Sequence, residues 1–135
     1  MSSAWAGPRK DRTDAVNRML RVISTTGRGF FRYGDNVAWM EVDARGRVWV
    51  HDAYTRKRIY TNYNRKWRGF TCGGTLQALV LRFRDYIQTG KPIPAGYFGP
   101  WPKWYCDGDL WGYGEDMAVV RKEAGDLGIT VEPRP

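Results

Sequence analysis

An α+β fold is what this sequence predicts: an antiparallel meander of three to four strands packed against two to three helices, with an aromatic-rich loop packed across it. Three observations carry that expectation. Apolar residues recur at helical spacing before residue 26 and again after residue 75, and between these stretches the period drops to two. Turn residues divide the period-two region at Gly34-Asp35-Asn36 and at Asp43-Ala44-Arg45-Gly46. The length of 135 residues suits one domain, large enough to bury roughly two thirds of its unfolded surface without a disulfide or a metal.

Residues 1–12, with Gly7, Pro8 and the mixed charges Arg9 to Arg12, read as a flexible arm, and residues 13–135 as the single domain. Thr13 or Asp14 is the expected cap of a first helix whose Val16, Met19, Leu20 and Ile23 form one buried stripe. Strands follow in GFFRY, NVAWMEV and GRVWVHD, with a fourth short one in RKRIYT. From Thr75 to about Thr89, Leu76, Leu79, Val80, Phe83 and Ile87 share a helix face, and Gly90-Lys91-Pro92 ends that helix. The segment from Pro92 to Gly114 holds seven aromatic residues, too many for a solvated linker, so it is expected to pack on the domain. A last helix runs from Glu115 to about Leu127 and closes at Gly128.

Charge is unevenly spread. Residues 1–73 carry 15 Arg or Lys against 6 Asp or Glu, whereas residues 74–135 carry 7 against 8. The basic half therefore invites a polyanion. Strand alternation sends Met40, Val42, Val48 and Val50 to one face, and Trp39, Glu41, Arg47, Trp49 and His51 to the other. With Arg45 at the turn, the second face mixes stacking rings and cations, as surfaces that hold single-stranded nucleic acid do. The competing expectation is that the aromatic loop covers both tryptophans as a second small core.

Further cations stand at Arg56, Lys57 and Arg58 and at Arg65, Lys66 and Arg68 around Trp67. They read either as a basic ridge or as ordinary solvated surface. Gly73-Gly74 precedes the second helix, where unpaired N–H groups can bind an anion; without a following Lys it is no P-loop, and the pair also serves as a plain turn with Thr71 or Thr75 as cap. Catalysis finds little support. The only histidine, His51, has no recognisable nucleophile beside it, and Asp107, Asp109, Glu115 and Asp116 suit a turn and a helix start better than an acid pair. Cys72 and Cys106 lack metal or redox spacing and are expected to be free thiols in a reducing compartment. No cofactor or metal is expected, and no signal or membrane-spanning segment is apparent.

The order helix, three strands, helix is shared with double-stranded-RNA-binding domains, yet residues 76–80 are Leu, Gln, Ala, Leu and Val where such domains carry cations. The succession RVWVHDAYTRKRIYT, WRGFTCGGTLQALVLRFRDYI and LWGYGEDMAVVRKEAGDLGI resembles a group of small bacteriophage and prophage accessory proteins with no assigned activity. The likeness spans roughly residues 18–129. It implies a phage protein acting in the bacterial cytoplasm and transfers no site residue. Together these readings favour a non-enzymatic protein that binds nucleic acid or a host nucleoprotein through Trp39, Arg45, Arg47, Trp49, Arg56, Lys57, Arg58, Arg65, Lys66 and Arg68. The alternative is an anti-defence inhibitor, of the anti-CRISPR kind, that meets a host protein complex through protein contacts.

Overall fold

The computed structural model describes residues 8–26, 29–61, 67–71, 73–94 and 114–130. In chain order these form helix α1 (Arg9–Ser24), strands β1 (Arg32–Tyr33), β2 (Asn36–Val37), β3 (Trp39–Val42), β4 (Val48–His51) and β5 (Arg58–Tyr60), and helices α2 (Gly73–Thr89) and α3 (Gly114–Asp126). The fold class is α+β, with two antiparallel sheets, β1-β2 and β3-β4-β5.

Helix α1 buries Val16, Met19, Leu20 and Ile23 as its spacing requires, but it starts at Arg9, four residues before the expected cap. Pro8 leads into the first turn, a position where its fixed φ and missing N–H cost nothing. Thr13 lies inside the helix and donates to the Arg9 carbonyl at 2.8 Å, while Asp14 pairs with Lys10. At the other end the hydroxyls of Ser24, Thr25 and Thr26 occupy the carbonyls of Arg21 and Val22, which a helix terminus otherwise leaves open.

The strands differ from the expected meander in one respect. NVAWMEV is broken at Ala38, because Phe31 adopts a left-handed φ of 66°, its ring is buried, and its carbonyl accepts from the Ala38 N–H at 2.8 Å. GFFRY and the start of NVAWMEV therefore make a separate small hairpin. The main sheet is completed instead by β5 from RKRIYT, paired in the register Trp49↔Tyr60 and His51↔Arg58. Edge strand β3 is covered by Asn17 of α1, which donates to the Met40 carbonyl at 2.9 Å and accepts from the Met40 N–H at 2.7 Å. One side chain thus stands in for a missing neighbour strand.

Met40, Val48 and Val50 form the inner face of the sheet, with α1 packed on β3 and α2 on β4. Leu76, Leu79, Val80, Phe83 and Ile87 are buried on α2, joined by Tyr86. Gly90, with φ 78°, ends that helix and donates to the Tyr86 carbonyl. Helix α3 packs on α1 and is followed by Gly128 and a parallel bridge of Ile93 to Thr130. Residues 95–113, which include most of the expected aromatic loop, and both cysteines lie outside the described residues. No helix among the described residues is long and apolar enough to cross a membrane.

Candidate functional site

The face of the sheet turned away from α1 and α2 carries two cross-strand rows set by register. One row is Trp39, His51 and Arg58; the other is Glu41, Trp49 and Tyr60. In the first, the Trp39 indole and the His51 imidazole stack face to face, with centroids 3.8 Å apart and planes 5° apart. Trp39 remains 46% exposed. In the second, Trp49 is half-buried, with the Arg58 guanidinium carbon 3.8 Å from its ring centroid and Tyr60 at 5.2 Å. The tryptophans are therefore not one closed core, and Trp39 is the open member of the pair.

Two acids, Glu41 and Asp43, organise this face. Glu41 places Oε1 2.5 Å from His51 Nε2 and 3.6 Å from Arg58 Nη1. Asp43, at the start of the β3–β4 turn, accepts from Trp49 Nε1, Arg47 Nε and the backbone N–H groups of Arg45 and Arg47, each at 2.9 Å. The Trp49 indole N–H, with those further donors, holds the Asp43 carboxyl well below the usual carboxylate range. Arg47 and Arg58 are thus already matched by carboxylates, and the middle of the face is close to neutral.

At the opposite end of β4 the arrangement reverses. Asp52 is buried, and its carboxylate accepts from the N–H groups of Tyr54, Thr55 and Thr71 and from the hydroxyls of Thr55 and Thr71. Burial opposes its ionisation most strongly, yet the hydrogen bonds outweigh it and the net shift is downward. Thr71, an expected cap of α2, is committed to Asp52 instead. A bond of 2.7 Å from the Thr55 hydroxyl to the Gly69 carbonyl ties the β4–β5 turn to residues 67–71. The Lys57 side chain lies against Gly69, where an added Cβ would come within 3.0 Å of it.

This knot brings Lys57 and Arg68 to one end of the sheet beside Arg56, all three exposed and without an ion pair among the described residues. Arg45 is exposed at the far end, in the β3–β4 turn. Trp67 is buried against Phe70 and belongs to the core. Arg65 and Lys66 lie outside the described residues, as do Asp107 and Asp109 and the side chains of Glu115 and Asp116. No group of three or more His, Cys, Asp or Glu among the described residues is placed to hold a metal. The Asx-turn pattern, an Asp bonded by the N–H two residues on, is a local signal for Asp43 and Asp52, and Tyr60 is readable from the alternation that places Arg58.

No curated protein and no solved structure matches this chain. A family model does, over residues 8–133, which takes in α1, both sheets, α2 and α3. The chain belongs to the YoqU family.

Proposed function

We propose that this chain is a non-enzymatic phage accessory protein that binds single-stranded nucleic acid, free or within a host nucleoprotein, on the outer face of the β3-β4-β5 sheet. The observation that carries the reading is the exposed Trp39, stacked on His51 at the end of the sheet where Arg56, Lys57 and Arg68 have no anionic partner among the described residues. An exposed indole can accept the face of an unpaired base, which a duplex hides. Cations not engaged by carboxylates can take up phosphates and release their counterions. The phage setting, and the bacterial cytoplasm with it, rests on the sequence resemblance.

A second reading has its own support. Glu41 and Asp43 neutralise Arg58 and Arg47 in the middle of the face, which weakens attraction for a polyanion there. Exposed Trp, Tyr and Arg are also the residue types that dominate protein interfaces. An inhibitor docking on a host defence complex would use the same surface.

Binding of single- and double-stranded DNA and RNA at several salt concentrations separates the two. The nucleic-acid reading expects single strands to bind more tightly, with affinity falling as salt rises. Absence of binding at low salt would move the protein reading to first place, to be pursued by pull-down from host lysate with and without nuclease.

A further inference from the structure

At the Trp39 end the outer face opens into a cleft of about 230 Å³, lined by Asn36 and Val37 of β2, the Trp39–His51 pair, and Asp52, Ala53 and Arg56 at and after the end of β4. Sites for drug-sized ligands run to roughly 300–1,000 Å³. This one is smaller and open to solvent, of a size to hold a base and one polar group while the rest of a ligand stays outside.

Two of its residues are unusual. The Asn36 side chain makes no hydrogen bond among the described residues, so its amide has both donor and acceptor to offer. Arg56 is held at φ 59°, a left-handed conformation in which glycine is at ease and a Cβ is not. The turn enforces it: the Arg56 N–H donates to the Asp52 carbonyl, and the Asp52 N–H to the Lys57 carbonyl, both at 3.0 Å. Glycine would serve this turn better, yet the position holds a guanidinium that makes no ion pair among the described residues. The Asp52 carboxylate in the same lining is taken up by the N–H groups of Tyr54, Thr55 and Thr71 and the hydroxyls of Thr55 and Thr71. Backbone strain retained at a cleft points to a role for the side chain that bears it.

We infer that the cleft is a subsite for one nucleoside monophosphate unit, with its base against the Trp39 indole, the base edge at Asn36 and the phosphate on Arg56. A guanidinium matches phosphate oxygens in a fork, and an amide can pair with a base edge in two places at once. The inference deepens the nucleic-acid reading and rests on it for the polymer. The unit has two sources, a single strand or a free nucleotide, and their shared chemistry is a planar base carrying a phosphate.

Calorimetric titration of the full chain tests this with AMP, GMP, CMP and UMP, with adenosine, with inorganic phosphate and with eight-nucleotide single strands, in parallel for the parent, Arg56→Gly and Asn36→Ala. Arg56→Gly is expected to melt no lower than the parent, because glycine relieves the strain. It is expected to bind the phosphate-bearing unit at least about tenfold more weakly, the equivalent of one charge-assisted contact. Asn36→Ala is expected to flatten the ranking of the four bases. Dependence on Arg56 seen with mononucleotides assigns the free nucleotide as a source; dependence seen with oligonucleotides alone assigns the strand. If parent and Arg56→Gly bind mononucleotides and oligonucleotides equally well, the subsite is overturned while the nucleic-acid reading stands. If no nucleotide or oligonucleotide binds the parent, both are overturned.

Discussion

Strand β4 is flanked by two carboxylates that do opposite things. Asp43, before it, spends its oxygens on side chains as well as backbone and so orients Trp49 and neutralises Arg47. Asp52, after it, spends its oxygens on three backbone N–H groups and two hydroxyls, fixing the β4–β5 turn to residues 67–71 without touching a cation. The aromatic ring at the first end is tied down, and the nearby charge is cancelled. At the second end Arg56, Lys57 and Arg68 keep their charge, and Trp39 keeps an open surface. Where a carboxylate directs its hydrogen bonds decides whether neighbouring cations remain available to a partner.

The largest expected effect concerns the Asp52 knot. Asp52→Ala leaves buried donors unsatisfied and removes several hydrogen bonds to a charged group, each worth about 1.5–3 kcal/mol, so a loss of roughly 3 kcal/mol or more is expected in urea unfolding. Asp43→Ala should lower the urea midpoint less, because the Arg45 and Arg47 donors it releases lie at exposed positions where water can replace the carboxylate. Equal losses for the two variants would remove the distinction between a structural and an electrostatic carboxylate.

Next in size is the salt response. Replacing Arg56, Lys57 and Arg68 together by Ala should reduce the log–log slope of single-strand affinity against salt by about 2, at roughly 0.7 per phosphate. Replacing Arg47 and Arg58 should change it less, because Asp43 and Glu41 already accompany them. A larger change from the second pair would show that the paired cations, and not the unpaired ones, meet phosphate.

What the sequence revealed here follows the range of each interaction. The two faces of β3 and β4 and the buried stripes of α1 and α2 were legible, since alternation and 3.6-residue spacing are local properties. The start of α1 was misjudged because Thr13 looks like a cap when only its neighbours are read, although its hydroxyl bonds back to Arg9 within the helix. The break at Ala38 depends on Phe31 seven residues earlier. Charge was the least legible property. The excess of cations in residues 1–73 reads as one surface, but the Arg12 side chain donates to the Ile87 carbonyl at the end of α2 and Arg18 pairs with Glu123 of α3. Only folding shows which cations are already engaged.

A smaller effect should separate the two tryptophans. Trp39→Ala is expected to weaken single-strand binding by about 1–3 kcal/mol, the range for losing one base–aromatic stack, with the salt slope unchanged. Trp49, half-buried under Arg58 and bonded to Asp43, offers less surface, so Trp49→Ala should weaken binding less while lowering the melting temperature. The reverse order would place the contact at the Asp43 end and break the comparison between the two.

The smallest effect is a matter of pH, and its sign follows from the direction of the shift. The Asp43 carboxyl titrates below its ordinary value of 3.8 when folded, so its ionised form favours the native state. That contribution is complete above the unfolded pKa and is lost as pH falls through the folded one. Asp43→Asn removes the titration while keeping an acceptor for the Trp49 indole. The difference in melting temperature between parent and Asp43→Asn should therefore be constant from about pH 5 upward and should shrink as pH drops below 4. Arg47 sharpens the test, because in an Arg47→Ala background one of the donors that lowers the Asp43 pKa is gone, so the shrinkage should begin at the same pH but be smaller and finish at a higher pH. A difference that persists unchanged to pH 2 would mean that shape, not charge, holds Trp49 at this end of the sheet, and the two carboxylates would then differ in position alone.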